Sequence, residues 1–434
     1  MSKPSINVCW LRRDLRLHDH HALDQALQAG LPVLPLFIFD QHILNQLSDK
    51  ADKRVTFIHQ TLSRLNEELC RFNSSICVVH DTPLHTFQQL LEKFEVKEVF
   101  ANHDYEPYAV TRDQEISGFL SSNHIRFHTF KDQVIFEKSE VMKPDNSPYT
   151  VFTPYSRLWK KRYFQIGEQR FLSEEKLSGL LKTEIFPIPP LEAMGFEEAT
   201  LSISPPQLSE AILINYHQTR NLPSVPGTSQ VSTYLRFGLV SVRELVRLAQ
   251  QHSETWLNEL IWREFFMMIL YQFPQVVDNS FKPKYDRIPW RNDEEEFDRW
   301  CKGETGYPIV DAGMRQLNET GWMHNRVRMI VASFLVKHLL IDWRWGEAYF
   351  GEKLLDYELA SNNGNWQWAA GGGCDAAPYF RIFNPWTQAK KFDPKEEYVR
   401  QWVKEYDDSY IPPMVDHEFA RKRALETYKR ALSI

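Results

Sequence analysis

The 434-residue chain has 43% hydrophobic and 25% charged residues, the balance of a soluble protein of two or three domains. No apolar run reaches the ~18 residues a membrane-spanning helix needs, and Met1-Ser2-Lys3-Pro4 leads into a strand-like segment rather than a signal peptide. A net charge of −6 argues against a non-specific coat on nucleic acid yet allows one basic face, and five cysteines (Cys9, Cys70, Cys77, Cys301, Cys374) without a Cys-x-x-Cys pair point to reduced thiols in a cytoplasmic protein, with no metal site.

β-rich runs at Ile6–Leu11, Val33–Phe39, Ile76–Val79, Glu98–Ala101 and Arg126–Phe130 alternate with helically spaced stretches such as Phe57, Leu62, Leu65, Leu69 and Phe72. That alternation predicts an α/β domain over 1–130, a doubly wound parallel sheet of Rossmann-like build with helices on both faces. The turn after the first run reads Leu11-Arg12-Arg13-Asp14-Leu15-Arg16 in place of Gly-x-Gly-x-x-Gly, so a nicotinamide site is not supported. Residues 131–205 lose the alternation and gather prolines, which reads as an interdomain connector with a basic cluster at Arg157, Lys160, Lys161 and Arg162.

From Pro206 to the end, 206–434, the pattern is all-α. Ser241-Val242-Arg243-Glu244 is a capping box; helices are predicted over Thr255–Phe273, stopped by Pro274, and over Asn325–Ile341. On the first, Glu259, Trp262 and Arg263 share a face; on the second, Asn325, Arg328 and Met329 do. Acid, amide, cation and aromatic on helix faces are costly to bury without partners, so both faces read as pocket walls. Asn362-Asn363-Gly364-Asn365-Trp366-Gln367-Trp368 offers amides for a heterocycle, and its tryptophans, two apart, diverge on a helix. Thr228-Ser229-Gln230-Val231-Ser232, after Pro226-Gly227, is a hydroxyl-rich turn that an N-cap or a phosphate would explain. Of 13 tryptophans only Trp10 and Trp159 precede residue 200, a clustering that filling a core does not account for.

Four longer motifs are more specific: Trp262-Arg263-Glu264-Phe265, Thr305-Gly306-Tyr307-Pro308-Ile309-Val310-Asp311-Ala312, Gly321-Trp322-Met323-His324-Asn325-Arg326-Val327-Arg328-Met329 and Ala377-Pro378-Tyr379-Phe380-Arg381-Ile382-Phe383-Asn384-Pro385. With Arg12-Arg13-Asp14-Leu15-Arg16-Leu17 they resemble, in the same order, the motifs of the photolyase/cryptochrome family, most closely class I cyclobutane pyrimidine dimer photolyases. The resemblance spans nearly the whole chain. It implies FAD in the helical domain, on Tyr216, Thr228, Ser229, Gln230, Val231, Ser232, Arg263, Arg328, Asp356, Tyr357, Glu358 and Asn362, with an Arg328–Asp356 ion pair and Asn362 facing flavin N5. It implies a lesion pocket of Glu259, Trp262, Asn325, Met329 and Trp368, with Asn362 beside it, the tryptophans stacking on flipped bases and Glu259 hydrogen-bonding them. Arg220, Arg326, Arg381 and Gln388 fall on positions that grip duplex DNA, together with Glu259, Trp262 and Asn325. Trp290, Trp343 and Trp366 match the tryptophans that carry electrons to the flavin.

The family's Asp-x-Asp reads Asp356-Tyr357-Glu358 here, and Tyr105-Glu106-Pro107-Tyr108-Ala109 lacks the carboxylate of folate-binding relatives. A folate-type antenna is therefore not expected, and any second chromophore is left unidentified. The activity implied is a light-driven deoxyribodipyrimidine photo-lyase acting as a monomer on pyrimidine dimers in DNA. The alternatives are a cryptochrome-type photoreceptor; a 6-4 photoproduct photolyase, disfavoured by Asn325 where that subfamily has histidine; and a flavin-free nucleic-acid binder, disfavoured by the FAD positions.

Overall fold

Five short β-branched and aromatic runs become one parallel sheet in the computed structural model, which describes residues 3–407 and 409–433. The strands are β1 (Ser5–Leu11), β2 (Val33–Asp40), β3 (Cys77–Asp81), β4 (Glu95–Asn102) and β5 (Arg126–Phe130), in the order β3-β2-β1-β4-β5. Every residue of β2 is buried, as a strand covered on both faces requires. The covering helices are α1 (His21–Gln28), α2 (Lys53–Cys70), α3 (Pro83–Lys93) and α4 (Pro107–Ser122). Chain order reverses between β1 and β4, the signature of double winding.

Cα packing divides the chain into two units. The first comprises 1–137, 161–202 and 232–248; the second, 138–160, 203–231 and 249–434. The proline-bearing stretch 131–205 is thus shared between both units and contains the helix Phe152–Ile166. Residues 232–248, from the segment with an all-helical pattern, are grouped with the sheet.

In the first unit the Arg12–Leu17 turn is an ion-pair hub. Arg12 binds Asp113 at 2.5 Å and Arg13 binds Asp104 at 3.2 Å. Arg16 and Arg243 grip the two oxygens of Asp132 at 2.7 and 2.8 Å, and Arg243 also holds Asp19 at 3.0 Å. Burial alone would raise the Asp132 carboxyl, but the two guanidiniums overcome it and hold it well below the usual range. Ser241 Oγ caps the helix Val242–His252, accepting from the amides of Arg243 and Glu244 at 3.1 and 3.4 Å.

The second unit is helical. The helices that matter for the site are α5 (Glu210–Thr219), α6 (Glu254–Gln272), α7 (Asn325–Ser333), α8 (Trp343–Lys353), α9 (Leu359–Ala370) and α10 (Pro385–Phe392). Its core gathers Trp300, Tyr307, Val327, Val331, Phe334, Trp343, Phe350 and Trp366. The helix expected over Asn325–Ile341 is α only to Ser333; Phe334–Leu339 widens into a π-turn, and Leu340 closes it in the left-handed region at φ 51°. The widening accompanies a buried lysine, Lys337, whose Nζ donates to the Ala370 carbonyl at 3.1 Å.

Candidate functional site: a polar cavity in the helical unit

α7, α8 and α9 and the loop before α9 enclose a cavity with about 620 Å³ of empty space, part of it open to solvent. Nine of the sequence-selected residues line it: Asn325, Arg328 and Met329 from α7; Asp356, Tyr357 and Glu358 from the loop; and Asn362, Trp366 and Trp368 from α9. The i, i+3, i+4 spacing on α7 puts its three on one wall. Tyr216, Thr228–Ser232, Glu259, Trp262, Arg263, Arg220, Arg326, Arg381, Gln388, Trp290 and Trp343 are not among its lining residues.

Charge at the cavity is arranged in pairs. Arg328 Nη2 donates to Asp356 Oδ2 at 2.8 Å, and its Nε to the Met323 carbonyl at 2.8 Å. The other Asp356 oxygen, Oδ1, is buried and has no hydrogen-bond partner among the described residues, so this cavity wall holds an acceptor that calls for a donor. Glu358 pairs with Arg263 of α6 at 3.0 Å and accepts from Ser361 Oγ at 3.2 Å.

Asn362 is oriented by a residue that no sequence pattern singles out. Its Nδ2 donates to the backbone carbonyl of Glu347 at 3.0 Å and to Glu347 Oε1 at 2.9 Å. Both partners are acceptors, so the amide nitrogen must face them and the carbonyl oxygen is the end left for the cavity. Glu347 precedes Asn362 by 15 residues on a different helix, and only the packing of α8 on α9 brings them together.

On α6, Trp262 has one ring face covered by Phe152, stacked at 3.8 Å with an interplanar angle of 3°. Phe152 lies in the proline-bearing stretch and carries no motif, so its part as a backing plate was illegible in sequence. Glu259, one turn before Arg263, forms an ion pair with Arg220 at 2.5 Å. Ser229 Oγ accepts from Trp256 Nε1 at 3.2 Å, its carbonyl accepts from the Gln207 amide at 2.7 Å, and Gln230 is left-handed at φ 48°. Ser232 opens the short helix Ser232–Arg236.

The cationic positions differ in how firmly they are held. Arg326 donates to Asn221 Oδ1 at 2.8 Å and lies 4.4 Å over the Phe392 ring. Arg381 is exposed, and Gln388 is half-buried on α10. As for the tryptophans, Trp366 is buried in the core, its ring 6.1 Å from Trp300 and 5.0 Å from Phe350, while Trp368 is half-buried. Trp343 is buried beneath the Arg344 guanidinium at 4.8 Å, and Trp290 packs edge-on to Tyr428 at 6.0 Å.

The cavity fits a flavin on its own chemistry: a buried, unpartnered carboxylate oxygen for a ring N–H, a guanidinium beside it, a fixed amide carbonyl, and an indole wall. Comparison with known proteins agrees. The family model for the FAD binding domain of DNA photolyase matches residues 256–409, and that for DNA photolyase matches residues 7–172. The chain is 37% identical to the deoxyribodipyrimidine photo-lyase of Vibrio cholerae over 98% of this chain and 100% of the relative, and 36% identical to that of Escherichia coli over 98% of each. Among solved structures, a class III photolyase from Agrobacterium tumefaciens superposes with a TM-score of 0.86 at 30% identity, covering 100% of this chain and 99% of the other. A Sulfolobus tokodaii photolyase described with two FAD molecules gives a TM-score of 0.83 at 31% identity, covering 98% of this chain and 100% of the other.

Proposed function

The chain belongs to the DNA photolyase family, and on that premise we propose that its helical unit is the site of light-driven repair of cyclobutane pyrimidine dimers in DNA. The observation that carries this reading is the flavin-compatible wall of Asp356, Arg328 and Asn362 in the same cavity as Asn325, Met329 and Trp368. FAD, when bound, supplies the photoexcited electron that opens the cyclobutane ring and takes it back. The protein's share is binding, orientation and control of protons.

A dimer flipped from the duplex needs flat apolar faces and edge hydrogen bonds. We assign the faces to Trp262, stiffened from behind by Phe152, and to Trp368; the edges to Asn325 and Glu259; and a soft contact to Met329. Arg263, Arg328, Asp356, Tyr357, Glu358 and Asn362 hold the flavin ring, with Tyr216 and the turn Thr228–Ser232 on its phosphates and sugars. Arg220, Arg326, Arg381 and Gln388 take the DNA backbone. Trp366, Trp343 and Trp290 deliver electrons from outside. In this reading residues 1–130 are the antenna-type domain, 131–205 the connector and 206–434 the flavin and lesion domain; the enzyme is a cytoplasmic monomer. No helix among the described residues is long and apolar enough to cross a membrane.

The test is direct. Protein with reduced flavin, given an oligonucleotide carrying one thymine dimer and blue light, restores the intact thymines, read as regained absorbance. Intact dimers after illumination would overturn the lyase reading in favour of a photoreceptor.

A further inference from the structure

The Arg220–Glu259 pair joins two groups to which the proposed function gives separate tasks, one on the DNA backbone and one on the base. Arg220 caps the C-terminus of α5, and its Nη1 lies 2.5 Å from Glu259 Oε1. The two side chains are 28% and 30% exposed, so the pair is open to an incoming strand. Arg220 is also crowded by like charge, for Arg326 and Arg328 share its neighbourhood around His324. Asp356 pairs with Arg328 and Glu259 with Arg220, while Arg326 is held by the neutral Asn221, so a phosphate entering the cluster relieves repulsion that the two carboxylates offset only in part.

We propose that Arg220 is the positioning residue that keeps Glu259 ionised in the free protein, and that its capture by a DNA phosphate makes Glu259 take up a proton, so that lesion binding itself arms the acid. This rests on the reading of Arg220 and Glu259 given above. The step is a protonation with no electron moved: one O–H bond forms on the Glu259 carboxyl, and the proton comes from water or buffer. The protonated carboxyl then donates to a pyrimidine carbonyl, which a carboxylate cannot do.

The surroundings of Glu259 support this. Burial pushes its carboxyl up, and Arg220, by charge and hydrogen bond, opposes that push. Removing the guanidinium and covering the group with a base both act upward. From α5 it faces the Tyr216 phenol, whose ionisation burial and Glu259 itself suppress. Helix α9, packed against α6, has no ionisable side chain, and neither does the turn Pro274–Val277. His324 faces Arg220 rather than Glu259; burial and the arginines hold it down at about 4, so it is neutral at pH 7. With a phosphate present, His324 is a rival proton acceptor in the cluster, Asp356 being held as a carboxylate partner by Arg328 at 2.8 Å.

Calorimetric titration of the flavin-loaded protein with thymine-dimer duplex, in two pH 7 buffers of different ionisation enthalpy, counts the protons. Wild type is expected to take up close to one proton per complex, with affinity falling as pH rises by up to about tenfold per unit. Glu259→Gln should take up almost none. So should Arg220→Ala, although it binds more weakly, because its Glu259 is already protonated before DNA arrives. A protonated-carboxyl stretch should appear in the infrared difference spectrum of the wild-type complex and be absent from that of Glu259→Gln. Wild type that binds and repairs dimers with no proton uptake overturns the inference and leaves the lyase reading standing. Undiminished uptake in Glu259→Gln overturns it in favour of His324. Protein that neither binds nor repairs dimers overturns both.

Discussion

Asn362 of α9 and Glu347 of α8 are locked to each other by two hydrogen bonds from one amide nitrogen, at 2.9 Å to the carboxylate and 3.0 Å to the backbone carbonyl. The lock fixes which end of the amide faces the cavity, and burial pushes the Glu347 carboxyl up against the bond that holds it down. Glu347→Leu should cost about 1–2 kcal/mol through the lost acceptor. It should also shift the bound-flavin absorption bands, since the amide can then turn. Glu347→Gln keeps an acceptor oxygen and should match wild type in both. Denaturant melts and flavin spectra of the two variants check this.

All five strands were legible within a few residues: β1 and β2 as the near-continuous apolar runs that burial on both faces demands, and edge strand β5 by its aromatic and β-branched residues between turns. The helix faces of α6 and α7 were legible too, since spacing alone decides which side chains share a face. What escaped were long-range partners. Phe152 behind Trp262 and Glu347 behind Asn362 obey no local period; only tertiary packing creates them. The π-turn at Phe334–Leu339 escaped for a related reason: its apolar stripe is indistinguishable from that of an α-helix, and the contact that accompanies it, Lys337 with the Ala370 carbonyl, lies on another helix.

His338, within that π-turn, is fully buried and bonds His417 ring to ring at 2.9 Å. Burial first, then His417 and Arg423, push it down from 6.5 to about 3. The unfolded chain therefore accepts a proton that the fold refuses. Stability on this account is full above pH 6.5 and is lost as pH falls through 6.5 toward 3, at about 1.4 kcal/mol per pH unit. His338→Gln should flatten the decline in urea-derived stability between pH 7 and 5 by about 1–2 kcal/mol, the measurement being paired melts at each pH.

Binding to DNA should weaken with salt in proportion to the phosphates engaged. Arg220→Ala, Arg326→Ala and Arg381→Ala should each lower affinity for damaged and plain duplex by similar factors and reduce the log–log salt slope by about one unit at most. Arg326→Ala should also cost some stability, because its guanidinium holds Asn221 and covers Phe392. Unchanged slopes in all three would move the basic face elsewhere.

Lesion choice should sit with Trp262 instead. Its indole is half-buried, held by Phe152 at 3.8 Å and by Phe266 at 5.5 Å, and stacking contributes on the order of 1–3 kcal/mol per base. Trp262→Ala should narrow the gap between damaged and plain DNA by about tenfold or more while flavin stays bound. Phe152→Ala should do the same in part, because the indole loses its backing at 3.8 Å. Competition binding with undamaged duplex measures both.

The tryptophans separate electron supply from repair. Trp366 is wedged so tightly that a Cβ placed on Gly346 would come within 2.2 Å of its ring. Trp366→Phe therefore empties a small space beside Gly346 and Leu335, at a cost of about 1–2 kcal/mol, and keeps an aromatic ring in the cavity wall. Phenylalanine is much harder to oxidise than tryptophan. The variant should bind FAD normally yet fail to photoreduce oxidised flavin in the presence of an external thiol. Reduced chemically beforehand, it should still repair dimers, since the electron for repair does not pass through the tryptophans. Trp343→Phe should behave in the same way, while Trp290→Phe should be milder, because the inner rings can still donate transiently before charge recombines. Photoreduction at the wild-type rate in Trp366→Phe would assign Trp366 to the core alone and require a route that starts from another donor.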